Sequence, residues 1–189
     1  MYLWGNFVSG YNYTSGWEEI EIMAYLTHET FLQRVEQSGS KYWQEGKNYR
    51  WQYMSYVIDI LKEICPDDTK LIEAGTSGMP LSDKSFLYEY PDYNLDITPY
   101  KINGERVKNH QFDCFVALQV WEHLNNQSLA FQEVMRIAKF AILSFPYKWD
   151  WGDALHKGID GKKIERWTCG IRPVSIKIIN HRAIYIWKF

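Results

Sequence analysis

Cysteine is scarce in this chain. Cys65, Cys114 and Cys169 stand apart, with no CxxC pair and no Cys/His cluster at ligand spacing. A zinc site of the usual spacing and a disulfide framework are both unexpected, and no metal is assigned. Long apolar runs are missing too: no stretch approaches the roughly 18 apolar residues that span a bilayer. The opening MYLWGNFVSGYNYTSGW has neither the basic start nor the unbroken apolar run of a secretory signal. Basic excess is absent, with 21 Lys and Arg against 23 Asp and Glu and a net charge of -2. That balance argues against a broad nucleic-acid footprint. Repeats, low-complexity tracts and long linkers are lacking as well. Together these absences lead us to expect a soluble, cytoplasmic protein with reduced thiols and neither a membrane nor a nucleic-acid partner.

What is present is ordinary globular material with one bias. The 189 residues suit one domain, 46% are hydrophobic and 23% charged, and aromatic residues reach 17%. A chain this long can bury roughly 70% of its unfolded surface without staples. Residues 1–48 are rich in Trp, Tyr, Gly and Ser and read as an aromatic extension, with one helix expected over Glu18–Gln37. A second helix is expected over Asn48–Cys65, where Trp51, Met54, Ile58 and Leu61 recur at helical spacing. Pro66-Asp67-Asp68 ends it.

From Thr69 onward short apolar runs alternate with loops and a helix. TKLIEAG, SFLYEY, YNLDI, FDCFVALQV and FAILSFP read as strands. The fourth of these is almost continuously apolar, as a strand covered on both faces should be. Asn126 or Ser128 can cap a helix whose Phe131, Val134, Met135 and Ala138 line one face. SIKIIN and AIYIWKF form a closing hairpin turned at Asn180-His181-Arg182. The expected fold is α/β: a doubly wound, mostly parallel sheet with an antiparallel C-terminal hairpin.

Glu73-Ala74-Gly75-Thr76-Ser77-Gly78 follows a strand, and glycines there let the backbone turn sharply and approach a ligand. Asp96 ends a later apolar run about 20 residues on, the distance at which a carboxylate holds a nucleotide-type ribose. A plain glycine turn would look the same.

The segment QFDCFVALQVWEHLNNQSLAFQEVMRIAKFAILSFP, with Phe112-Asp113, Glu122-His123 and Arg136, resembles the fourth-strand, helix and fifth-strand region of class I S-adenosylmethionine-dependent methyltransferases. LIEAGTSG falls where that family's first motif belongs. The resemblance covers about Thr69 to Pro146. It implies a pared-down methyltransferase fold, with residues 69–189 as cofactor-binding core and residues 1–48 as lid or substrate wall. Ser77 replaces a loop glycine, Pro80 stands where a helix would begin, and the span from Asp96 to Phe112 is too short for the usual strand and helix.

The implied activity is methyl transfer from S-adenosyl-L-methionine to a small polar acceptor, such as a sugar hydroxyl. The rival reading is a catalytically silent, methyltransferase-like binding subunit. On the family's pattern Glu73, Gly75, Thr76, Ser77 and Gly78 contact the cofactor, and Gln119 is added because a polar side chain at the carboxyl end of a parallel strand points into the ligand crevice. Asp96 is first choice for the ribose and Glu89 second. Arg50, in a cluster with Tyr42, Trp43, Tyr49, Trp51 and Tyr53, is a candidate for the cofactor carboxylate, and the aromatic faces suit a sulfonium cation. His156 and then His123 are candidate general bases, although an exposed loop histidine and a turn-capping one explain them equally well.

Overall fold

The computed structural model describes residues 25–150 and 152–189. Most of the aromatic extension, and the start of the helix expected from Glu18, lie outside the described residues. Helix α1 spans His28–Ser38. Thr27 sets its start by accepting a hydrogen bond from the Thr30 amide at 3.1 Å, and Gly39 ends it in the left-handed region at φ 61°. Helix α2 runs Lys41–Ile64 and so begins earlier than the apolar spacing suggested. Its added first turns carry Trp43, which is buried against Phe31 of α1. They also carry Gly46, where any side chain would collide with the Arg50 guanidinium.

Strands β1 (Leu71–Ala74), β2 (Phe86–Tyr88), β5 (Phe112–Leu118), β6 (Ala138–Pro146), β7 (Ser175–Ile179) and β8 (Arg182–Lys188) form one sheet in the order β2-β1-β5-β6-β8-β7. The first four are parallel, β8 runs antiparallel to β6, and β7 antiparallel to β8. This is the doubly wound sheet with an antiparallel hairpin that the strand pattern implied. Asn180 and His181 make its tight turn, both at positive φ (48° and 59°). A separate two-stranded ribbon, β3 (Lys101–Ile102) with β4 (Glu105–Arg106), fills the short span before β5.

Alternation along the central strands divides two cores. Ile72, Phe115, Ala117, Leu143, Tyr185 and Trp187 face helix α3 (Gln127–Ile137) and helix α4 (Gly161–Trp167). Leu71, Cys114, Val116, Ile142, Ile184 and Ile186 face α1 and α2. Both faces are covered, which is why these strands read as continuous apolar runs.

Two expectations are corrected. YNLDI is not a strand: the Asn94 side chain accepts from the Asp96 amide at 2.8 Å and folds the segment into a turn. SFLYEY supplies the second strand instead. The link from β1 to β2 contains no helix, as Pro80 foreshadowed. Buried Glu73 takes the helix's place by accepting from the Leu81 and Ser82 amides (2.8 and 3.1 Å) and the Ser85 hydroxyl (2.6 Å). Amides that a crossover helix would have satisfied internally thus find an acceptor.

Candidate functional site

The chain leaves β1 toward one sheet edge, β2, and returns to start β5 on β1's other side. Parallel α/β sheets open a crevice at such a switch point, beyond the strands' carboxyl ends. Here a cleft of about 660 Å3 lies at that place, bordered by Gly75 and Ser77 after β1 and by Gln119 and Val120 after β5. The volume is that of a small-molecule site. A smaller cavity of about 60 Å3, reaching Glu73 and Tyr53, adjoins the glycine loop.

The loop's geometry follows from its residues. Gly75 has φ 67°, and a side chain there would collide with Val120. Ser77 (φ 52°) and Gly78 (φ 77°) are left-handed as well, so the serine adopts the conformation a glycine would have taken. Two outside groups hold the loop. The Thr76 amide donates to Glu89 Oε1 at 2.6 Å, and Trp43 Nε1 donates to the Ser77 carbonyl at 3.2 Å. Across the crevice Gln119 is also left-handed (φ 61°), pinned because its amide and its side-chain nitrogen both donate to Ser144 Oγ at 3.0 Å.

Arginines form one wall. Arg50 is 4% exposed and Arg182 6% exposed, yet neither has a carboxylate partner among the described residues. Arg50 lies over the Tyr42 ring at 3.6 Å, with Tyr49 at 4.9 Å, and donates to the Tyr42 carbonyl. Arg182 lies over Tyr49, Tyr53 and Trp149 at 4.8 to 5.2 Å. The Nε of each arginine has no acceptor. Buried guanidinium groups held by ring faces and backbone carbonyls, with no carboxylate beside them, give the cleft a preference for anions.

Histidines form another wall. His123 ends the turn Trp121–His123 after β5, and His156 comes from the loop after β6; their rings meet edge to face at 5.2 Å. His156 Nδ1 lies 2.5 Å from Asp153 Oδ1. A carboxylate only accepts, so Nδ1 carries a proton, and in the neutral ring Nε2 carries the lone pair. Burial and the neighbouring His156 hold His123 below its ordinary value. Glu122, with a carboxylate oxygen within 4.8 Å of a nitrogen of each ring, is pushed up to about 7 by burial, with His156 and Arg182 among the groups pulling the other way.

Of the residues expected from sequence, Arg50, Gly75, Ser77, Gln119, His123 and His156 border the cleft. Thr76 and Gly78 belong to the same loop, while the Glu73 carboxylate lies behind it. Asp96 is elsewhere: its carboxylate accepts from the Asn125 and Asn126 amides, both at 2.8 Å, at the start of α3. There it satisfies helix-end donors and complements the dipole. Glu89, the second choice for the ribose, follows β2 and touches the glycine loop. Arg182 and Glu122 were not anticipated as cleft groups. Arg182 is brought in because β8 pairs antiparallel with β6, setting it opposite Pro146 at the sheet's ligand edge; a hairpin after the last parallel strand was the available signal.

No family model matches the chain, and no curated protein does. Among solved structures it is similar to magnesium protoporphyrin IX methyltransferase from Synechocystis PCC 6803 with bound SAH, with TM-score 0.49 and 13% identity over 82% of this chain and 91% of that one. It is similar also to a SAM-dependent methyltransferase from Aquifex aeolicus, with TM-score 0.47 and 13% identity over 82% and 97% of the two chains. The cyclase SpnF matches with TM-score 0.46 and 14% identity over 66% and 59%. These are likenesses of fold, and function has to be argued from the cleft itself.

Proposed function

We propose that the cleft binds S-adenosyl-L-methionine and transfers its methyl group to a small polar acceptor carrying a hydroxyl. The observation that carries this reading is the crevice between β1 and β5, where a loop left-handed at Gly75, Ser77 and Gly78 faces a strained Gln119 and a wall of buried cations. Glycine loops of this kind let a cofactor backbone approach the chain closely. In this reading Glu89, which holds the Thr76 amide of the glycine loop, accepts from ribose hydroxyls, and Arg50 takes the cofactor carboxylate. Residues 25–48 supply one rim of the cleft through Tyr42 on α2 and act, in this reading, as a substrate wall.

Methyl transfer is an in-line displacement, and most of its acceleration comes from placing the acceptor behind the methyl group and excluding water. Arg182 gives the acceptor an anchor, and the His123–His156 pair marks the side where its hydroxyl proton leaves. S-adenosylhomocysteine should raise the melting temperature in a saturable way, since a ligand that binds the native state stabilises it. Labelled cofactor incubated with hydroxylated, anionic acceptors should yield labelled product. No thermal shift with up to millimolar S-adenosylhomocysteine would end the proposal.

A further inference from the structure

One carboxylate oxygen of Glu122 and one nitrogen from each of His123 and His156 all lie within 4.8 Å of one another. Glu122 is 3% exposed, and neither of its carboxylate oxygens has a hydrogen-bond partner of good geometry. A buried carboxyl without partners is costly in either protonation state. Asp153 fixes His156 through Nδ1, as carboxylates behind metal-binding imidazoles do, and leaves the Nε2 lone pair free. Both imidazoles border the cleft.

From this geometry we infer that Glu122, His123 and His156 form the protein's share of a divalent-cation site whose remaining positions open into the cleft. Two neutral imidazoles and one carboxylate suit a borderline ion such as Zn2+ rather than the all-oxygen preference of Mg2+ or Ca2+. Bonds of roughly 2.1 Å would bring the ligand atoms to about 3 to 3.5 Å apart, a contraction of up to about 1.3 to 1.8 Å. His123 is exposed and can absorb it by a small turn of its ring. Three protein ligands with open positions are the pattern of a working site rather than a structural one.

What the ion would do rests on the methyl-transfer reading, whereas its binding does not. An acceptor hydroxyl on an open position becomes more acidic. Its proton passes to solvent, its oxygen forms the new bond to the methyl carbon, and the carbon–sulfur bond breaks with the electron pair left on sulfur. With an ion in place the histidines are ligands, and the ion replaces them in activating the hydroxyl.

The test is calorimetric titration of the chelator-stripped full chain with Zn2+, with metal analysis after dialysis. One ion per chain is expected, undisplaced by a hundredfold excess of Mg2+ or Ca2+. Glu122→Gln and His156→Ala should each weaken binding at least tenfold. Asp153→Asn, which alters only the support behind His156, should do so by about 10- to 100-fold with an unchanged circular-dichroism spectrum. No binding, or folded Glu122→Gln and Asp153→Asn binding as tightly as the unsubstituted chain, overturns the site. Zn2+ binding without any S-adenosylhomocysteine shift would sustain the site and remove the methyl-transfer reading; the opposite result would do the reverse.

Discussion

Non-glycine residues at positive φ cost free energy, and Ser77 and Gln119 hold that conformation on opposite lips of one crevice. Each is kept there by partners: Trp43 on the Ser77 carbonyl, and Ser144 on the Gln119 amide. The same reasoning separates two acidic residues that look alike in sequence. Glu89 touches the glycine loop, whereas Asp96 accepts from two amides at the head of α3. Glu89→Ala should therefore weaken S-adenosylhomocysteine at least tenfold in calorimetry. Asp96→Ala should leave that affinity intact and lower unfolding stability by about 1 kcal/mol, as loss of a helix-end acceptor does. Reversed effects would return the ribose to Asp96.

At the scale of elements, the helix-free connection from β1 to β2 hangs on Glu73. Burial raises its carboxyl from the ordinary 4.5 to about 7, against the pull of Ser85 and the Leu81 and Ser82 amides. A carboxyl with a raised folded value keeps its proton in the native state while the unfolded chain has lost it. Its contribution to stability is therefore complete below about 4.5 and declines as pH rises through 7. Relative to Glu73→Gln, the native protein should lose about 3 kcal/mol between those pH values, read from denaturant unfolding at several pH values. A difference that stays flat or grows with pH would mean that the donors outweigh burial. Pro80 hinted in sequence that no helix follows β1, but nothing local showed Glu73 replacing it. Its donors lie on the far side of a loop.

A second element-scale case is Gly46 within α2. Alanine there gains about 1 kcal/mol of helix propensity but takes the space of the Arg50 guanidinium. Gly46→Ala should thus leave the fold intact and lower S-adenosylhomocysteine affinity severalfold in calorimetry. An unchanged affinity would show that Arg50 does not reach the cofactor.

For the whole molecule, legibility followed burial. Phe112–Leu118 and Ala138–Pro146 announced themselves as apolar runs because the sheet is covered on both sides. YNLDI had the same local look, and Asn94 overrode it with one side-chain bond. The cleft was legible where its residues follow strands directly, as at Gly75 and Gln119. It was hidden where the sheet's order does the assembling: Glu122 meets His156, and Arg182 reaches the ligand edge, only through the pairing of β5, β6 and β8.

That pairing also makes one sheet the shared wall of two cores, which bears on whether the described chain unfolds as a unit. Ile142 and Leu143 are neighbours on β6, both fully buried, and their side chains enter opposite cores. Truncating either to alanine should cost about 2–5 kcal/mol, the range for large-to-small changes in packed interiors. Because β6 cannot detach from one core and stay ordered for the other, each substitution should lower a single transition. Far-ultraviolet circular dichroism and tryptophan fluorescence should report the same shift in both variants. If Ile142→Ala released a first transition that left the spectrum of the α3 side intact, the α1–α2 layer would be a separable unit. The cleft, built from both layers, would then be assembled by docking rather than by one folding event.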